Sequence, residues 1–251
     1  MPSRVLRRLP RGPADLLRQI VLFGGAYWLY RLVRGQVDGR AATAFANAGH
    51  VISLERALGI FPEPSLYRWV AAHEPLGDVA SWVYVNSHFT VTTVTLAYLY
   101  LRRNDRFYWV RNMFMVAMGL ALVGYIAFPT APPRMLAGWG FGDPVAGLTG
   151  SAAASALFNP YAAVPSMHVA FALMLGLPMA TLARHRWACM AWRAYPAVVT
   201  FVVLATANHW WLDAFLGAAT AAVSALAAHG VFARARPDAW AWRPAPRPAS
   251  A

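Results

Sequence analysis

The segment Ala207-Asn208-His209-Trp210-Trp211-Leu212-Asp213 sets an imidazole four residues ahead of a carboxylate. On a helix that spacing puts both side chains on one face, so the carboxylate holds one ring nitrogen and leaves the other as nucleophile or base. Asp213 is the only acidic residue in an apolar run of about 40 residues between Arg193 and Arg234, long enough for two membrane spans. A carboxylate at membrane depth costs about 2.5–3.5 kcal/mol on insertion scales and is kept where it pairs with something useful. An oriented, activated histidine in a membrane protein is the first expectation.

Two more polar islands interrupt apolar stretches: Phe128-Pro129-Thr130-Ala131-Pro132-Pro133-Arg134 and Pro165-Ser166-Met167-His168. With His209 and Asp213 they supply the parts of phosphoryl transfer through a phosphohistidine. Asp213 fixes the tautomer of a nucleophilic His209 and stabilises its positive charge. His168 is the second imidazole, which protonates the leaving oxygen. The planar fork of Arg134 suits equatorial phosphate oxygens. Ser166 opens a helix after Pro165, so its hydroxyl and the first free amides also suit phosphate.

Each island alone has a plainer reading. His209 and Asp213 would serve as a packed polar pair, a serine after proline is a common helix start, and Pro-Pro-Arg simply ends a span. The three in order, at one membrane face, point to a site. His88 and Asn208 are candidates for its pocket, although an interhelical packing role is the favoured reading for His88. A zinc site built from His88, His168, His209 and Asp213 is the weaker alternative, because His-x-x-x-Asp lacks the glutamate base of zinc helices. No metal and no cofactor are expected.

The elements that position these residues follow from composition. The 251 residues are 59% hydrophobic and 13% charged, which predicts an all-α integral membrane bundle. The net charge of +12 comes from arginine with no lysine. Those arginines cluster in short loops and tails, a signal of topology and lipid-headgroup contact rather than of nucleic acid. The single cysteine, Cys189, excludes an internal disulfide and a cysteine metal cage.

Six transmembrane helices are predicted, over 17–34, 79–101, 108–128, 166–183, 194–208 and 211–233. An interfacial amphipathic helix is expected within 36–78, on the spacing of Phe45, Ala48, Val51, Ile52, Leu54 and Leu58. Residues 1–16 read as a basic cytoplasmic tail, 17–233 as the membrane domain and 234–251 as a disordered tail. The first apolar stretch lacks a small-residue cleavage site and reads as a retained span. Arginines of the N-terminal tail, of 102–106, of 184–193 and of the C-terminal tail fall on one side of six spans. Both termini are therefore expected in the cytoplasm, with the polar islands on the outer face of the cell membrane. Arg31, Arg34, Arg40, Arg56 and Arg68 run against this rule, accompanied by Asp38, Glu55, Glu63, Glu74 and Asp78. Arg111 and the pair Trp210 and Trp211 read as interfacial anchors.

Pro-Ser-x-His followed by His-x-x-x-Asp resembles the type 2 phosphatidic-acid-phosphatase superfamily, six-helix membrane enzymes with a histidine nucleophile. Within it, the blocks 128–134, 165–168 and 208–213 resemble the inositolphosphotransferase-like branch related to fungal inositol phosphorylceramide synthase. The resemblance runs from about Glu55 to His229 and includes Arg111-Asn112 and the Tyr84/His88 segment. Carried over by position, it implies His209 as nucleophile, His168 as general acid, Asp213 as orienting carboxylate, and Arg134 and Ser166 as phosphate ligands. The chain departs from the superfamily pattern at Ala127, Val203 and Met167, where lysine, arginine and glycine are expected. Similar losses belong to the inositolphosphotransferase-like branch. The implied substrate is a phospholipid or polyprenyl phosphate in the bilayer, with water or an acceptor alcohol such as inositol receiving the phosphoryl group. The alternatives are a polyprenyl phosphate or diphosphate phosphatase and a non-catalytic lipid transporter.

Overall fold

Proline and charge punctuate the chain into helices. Glu63-Pro64 and Glu74-Pro75 each place an acid and a proline in a first helical turn. There the missing N–H of proline costs nothing and the carboxylate faces the positive end of the helix dipole. The computed structural model describes residues 9–145 and 161–232. Its helices are α1 (Gly12–Val37), α2 (Ala41–Ala57), α3 (Glu63–Ala71), α4 (Glu74–Arg102), α5 (Asn104–Ala127), α6 (Met167–Leu182), α7 (Arg186–Ala205) and α8 (Trp211–Ala227). A π-helical turn, Ala228–Phe232, continues α8. The predicted tail 234–251, the first half of the basic N-terminal tail and part of the loop 129–165 lie outside the described residues.

A helix falls in each of the six predicted ranges, although α7 ends at Ala205 and leaves 206–208 as a turn. Among the described residues, three helices are long and apolar enough to cross a membrane: α5, α7, and α8 with its π-helical extension. The apolar α6 is shorter, at 16 residues. Large apolar side chains remain exposed on these and neighbouring helices, among them Val94, Val123, Val198, Phe215, Val223 and Leu226. Such a surface is unfavourable in water and natural against lipid. Several apolar helices and this surface together point to a membrane protein.

Three expectations are corrected. The basic segment 184–193 is mostly helix rather than loop, because α7 already begins at Arg186 and carries Ala, Met and Trp residues through its first turns. The α2 helix exists, but Ala44, Ala48, Val51, Ile52 and Glu55 form its buried face. Phe45, Leu54 and Leu58 are exposed. Arg111 is not an interfacial anchor: it is buried, and it donates to Gln19 Oε1 at 3.0 Å and to Asn112 Oδ1. Gln19 in turn donates to Asp15, which also accepts from Tyr100 and Tyr108. This network docks α1 onto α4 and α5, since buried polar groups on separate helices must satisfy one another.

Helices α5, α6 and α8 share one core, in which Phe114 and Ala117 pack with Ala170, Met174 and Ala221. Helices α4 and α7 pack against the other side of α6 and α8 through Tyr84, Val169, Val202, Val203 and Ala214. A Cβ on Gly176 would lie 2.7 Å from the carbonyl of Trp192. That carbonyl lacks its helical donor, because residue 196 is proline, and the absent side chain lets α6 and α7 close on it. A third cluster caps the bundle: Val51 and Ile52 of α2 pack with Ala131, Phe141 and Trp210 over the α7–α8 turn.

Candidate active site

The site is built on the turn between α7 and α8. Helix α7 ends at Ala205, and Ala207 takes a left-handed backbone with φ of 53°. The amides of Asn208 and His209 both return to the carbonyl of Val203. Asn208 Nδ2 donates to the carbonyl and hydroxyl oxygens of Thr206, at 3.0 and 2.9 Å. His209 therefore stands in a braced turn before α8, rather than on a helix as its spacing predicted. The carboxylate of Asp213, at the third position of α8, folds back over the helix start. Its Oδ2 accepts from the amide of Trp210 at 2.8 Å and lies 3.3 Å from His209 Nδ1. The contact between imidazole and carboxylate is thus made by helix capping.

The other ring nitrogen of His209, Nε2, lies 3.4 Å from His168 Nδ1, with the two rings edge to face. His168 sits in the first turn of α6, whose cap is Ser166: the Val169 amide donates to Ser166 Oγ at 3.5 Å. Two glycines admit this corner. A Cβ on Gly124 of α5 would lie 2.8 Å from Pro165 Cδ, and one on Gly217 of α8 would lie 2.3 Å from the carbonyl oxygen of Ser166. The Ser166 amide is already engaged, donating to the carbonyl of Asp213 at 3.0 Å. Ser166 is fully buried, and its hydroxyl serves as the cap of α6.

Arg134 is brought to the same turn. Its amide donates to the Ala207 carbonyl at 2.8 Å, and its Nε donates to Asn208 Oδ1 at 2.9 Å. Its Nη1 pairs with Asp143 at 2.7 Å. Asp143 also accepts from the amide of Val145, which orders the loop it sits on. Asn208 accordingly acts as a brace between Arg134 and the turn. Trp210 is not an interface residue: it is fully buried and donates from Nε1 to the carbonyl of Ala131, tying the 128–134 segment to the start of α8. Trp211 remains partly exposed.

His88 of α4 stacks on Phe171 and lies 4.2 Å, centroid to centroid, from the His168 ring. A small pocket between α4 and α7, lined by Val83, Tyr84, Ser87, His88, Val199 and Val203, reaches His168. Among the described residues no group of three or more His, Cys, Asp or Glu side chains is set to hold a metal ion.

Sequence reasoning missed four contributors. Glu55 and Glu63, read as surface charges offsetting arginines, are fully buried. Glu63 Oε1 accepts from the Trp211 amide at 2.6 Å, and Glu55 Oε1 accepts from the Leu212 amide at 2.7 Å. Burial raises Glu55 to about 8 and pushes Glu63 upward as well. Asp143 and Gly217 were the other two. Three of the arginines that ran against the sidedness rule have local partners. Arg40 donates to the Ile126 carbonyl, Arg68 to that of Pro64, and Arg56 lies over the rings of Phe61 and Trp139.

No curated protein and no solved structure shows a significant match to the chain. The PAP2 superfamily profile matches residues 49–227, a stretch that holds every residue of the cluster just described. That match covers well over half of the sequence, and it shows that the chain belongs to the PAP2 superfamily, a membership that suggests a phosphatase-type lipid function.

Proposed function

We propose that the protein is a membrane lipid phosphatase or phosphotransferase that acts on phosphorylated lipids at the outer membrane face through a phosphohistidine on His209. One observation carries the reading: His209 is held with Nδ1 against Asp213 and Nε2 toward His168. An imidazole whose Nδ1–H is bound by a carboxylate has its Nε2 lone pair free, and the positive charge that develops on attack is stabilised.

In the first half-reaction His209 Nε2 attacks phosphorus, and the bond from phosphorus to the leaving oxygen breaks. That oxygen takes a proton from His168, as a poor leaving group requires. Arg134 and the Ser166 hydroxyl hold the non-bridging oxygens, with Asn208 and Asp143 keeping the guanidinium in place until phosphate arrives. In the second half-reaction the acceptor gives its proton to His168 while its oxygen displaces His209 from phosphorus. Water as acceptor completes a phosphatase cycle, and an alcohol such as inositol completes a transfer. Arginine at 134 with alanine and valine at 127 and 203 supports the inositolphosphotransferase-like branch, on its resemblance. The residues through 17–233 form the catalytic domain in this reading, with both termini cytoplasmic.

The test uses purified protein in detergent with chelator, given radiolabelled phosphatidylinositol, phosphatidic acid or polyprenyl phosphate, with and without acceptor alcohol. We expect acid-labile, alkali-stable label on the wild-type protein and none on His209→Ala. Inorganic phosphate as sole product identifies a phosphatase, and labelled acceptor identifies a transferase. Absence of turnover and of protein label with every substrate rejects the reading.

A further inference from the structure

Three consecutive amides at the start of α8 are each held by a different carboxylate. Trp210 N is bound by Asp213, Trp211 N by Glu63 and Leu212 N by Glu55. The orphan donors of a helix start are ordinarily met by one short polar side chain or by water. Here two long acids from α2 and α3 are buried for the purpose, at a desolvation cost that a serine or asparagine cap avoids. The oxygens they do not use for capping, Glu55 Oε2 and Glu63 Oε2, are buried with no donor among the described residues. Yet their other oxygens bind two consecutive amides, Trp211 and Leu212, so the two carboxyls lie side by side.

Two facing carboxyls cannot both be ionised in a dry site, and a single proton between them satisfies both second oxygens. We propose that Glu55 and Glu63 are positioning residues for His209: a carboxyl pair that shares one proton and clamps the first turn of α8 from two neighbouring helices. This inference rests on His209 being the nucleophile. His209 immediately precedes the clamped amides, so the direction of its ring depends on that backbone. The shared proton leaves one negative charge against the positive end of α8. It also spares Asp213 the repulsion of two full charges.

The charged groups that act on the pair are the two carboxyls themselves and Asp213. The adjacent cation, Arg56, is engaged instead by the rings of Phe61 and Trp139. Burial raises both members, Glu55 to about 8, so the pair keeps a proton at neutral pH. The clamp therefore loosens as that proton leaves at alkaline pH.

Hydrogen exchange of the full-length protein in detergent, read on the peptide covering 206–214, tests this at pH 6 and pH 9. After correction for intrinsic rates, wild-type protection is expected to fall by about tenfold or more at pH 9, the equivalent of one unit of linkage. Glu55→Gln, whose amide supplies the missing hydrogen permanently, is expected to keep its protection at both values. Glu55→Ala is expected to lose protection in this peptide at both values. On phosphatidic acid, Glu55→Ala lowers kcat by about tenfold or more with KM within about twofold, and Glu55→Gln restores most of the loss. If Glu55→Ala does not fold, wild type against Glu55→Gln decides alone. Equal pH sensitivity in wild type and Glu55→Gln overturns the shared proton, and a wild-type exchange pattern in Glu55→Ala overturns the clamp. Absence of wild-type turnover on any lipid would reject the proposed function instead, and leave the exchange result to judge the clamp.

Discussion

Asp213 Oδ2 lies 3.3 Å from His209 Nδ1 and 2.8 Å from the amide of Trp210, so one oxygen sets both the ring of the candidate nucleophile and the turn that carries it. Asp213→Asn keeps the size and the capping acceptor but removes the charge. Its amide also presents a donor to Nδ1 in one rotamer, favouring the wrong tautomer. Turnover should fall by about three to four orders of magnitude, as when the equivalent charge is removed from a serine-protease triad. Circular dichroism and the unfolding midpoint should stay near wild type. Activity within tenfold of wild type would remove Asp213 from the orienting role.

His168 faces the reactive nitrogen of His209 and is assigned to protonation. Its replacement by alanine should therefore spare substrates that need no proton. We expect His168→Ala to reduce turnover of an alkyl phosphate ester by about 10²–10⁴-fold, the usual contribution of general acid catalysis, and that of an activated aryl phosphate much less. Equal losses on the two substrates would reject the assignment.

Arg134 makes two directed contacts, Nε to Asn208 and Nη1 to Asp143. Lysine keeps the charge but cannot reproduce that fork. Arg134→Lys should cost about 1.5–3 kcal/mol in kcat/KM, the contribution of a lost charge-assisted hydrogen bond. Steady-state kinetics on the preferred lipid check this, and an unchanged kcat/KM would mean that Arg134 serves the loop rather than the phosphate.

Gly217 is a packing requirement, because a Cβ there would lie 2.3 Å from the carbonyl oxygen of Ser166. Gly217→Ala must push α6 from α8 and should destabilise by about 1–3 kcal/mol, with loss of activity through the displaced His168. Gly119, also helical, has nothing within 4 Å of its missing Cβ. Gly119→Ala should be neutral, or stabilising by up to about 1 kcal/mol. Unfolding midpoints of the two variants give the comparison directly.

Stability should depend on pH through Glu55. Its folded value is raised from 4.5 to about 8, so between those values the folded state holds a proton that the unfolded state has released. The contribution is complete below about 4.5 and is lost as pH rises through about 8, with a limiting slope of about 1.4 kcal/mol per pH unit. Unfolding midpoints of wild type should therefore fall relative to those of Glu55→Gln across that window. Parallel curves would show that Glu55 is ionised throughout.

The helical character of the chain, the membrane-like apolar stretches and the pairing of His209 with Asp213 were legible from local pattern. Apolar runs of fixed length report burial or lipid contact, and residues a few positions apart meet through local backbone geometry whatever the rest of the chain does. Asp213 reaches His209 because both belong to one helix start, even though that start is a cap rather than a shared helical face. What only the tertiary structure decided is which distant groups complete the site. Glu55 and Glu63 lie about 150 residues from the amides they bind, and a cap supplied from another helix leaves no periodicity behind. Arg111 and Trp210 read as interface residues by type, yet both are buried because particular partners, Gln19 and Ala131, satisfy their polar atoms. Gly217 carries no signal in its own neighbourhood, since the atom it makes room for belongs to another helix. Spacing along the chain determines local encounters, whereas burial of charge is decided by whichever partners the packing supplies.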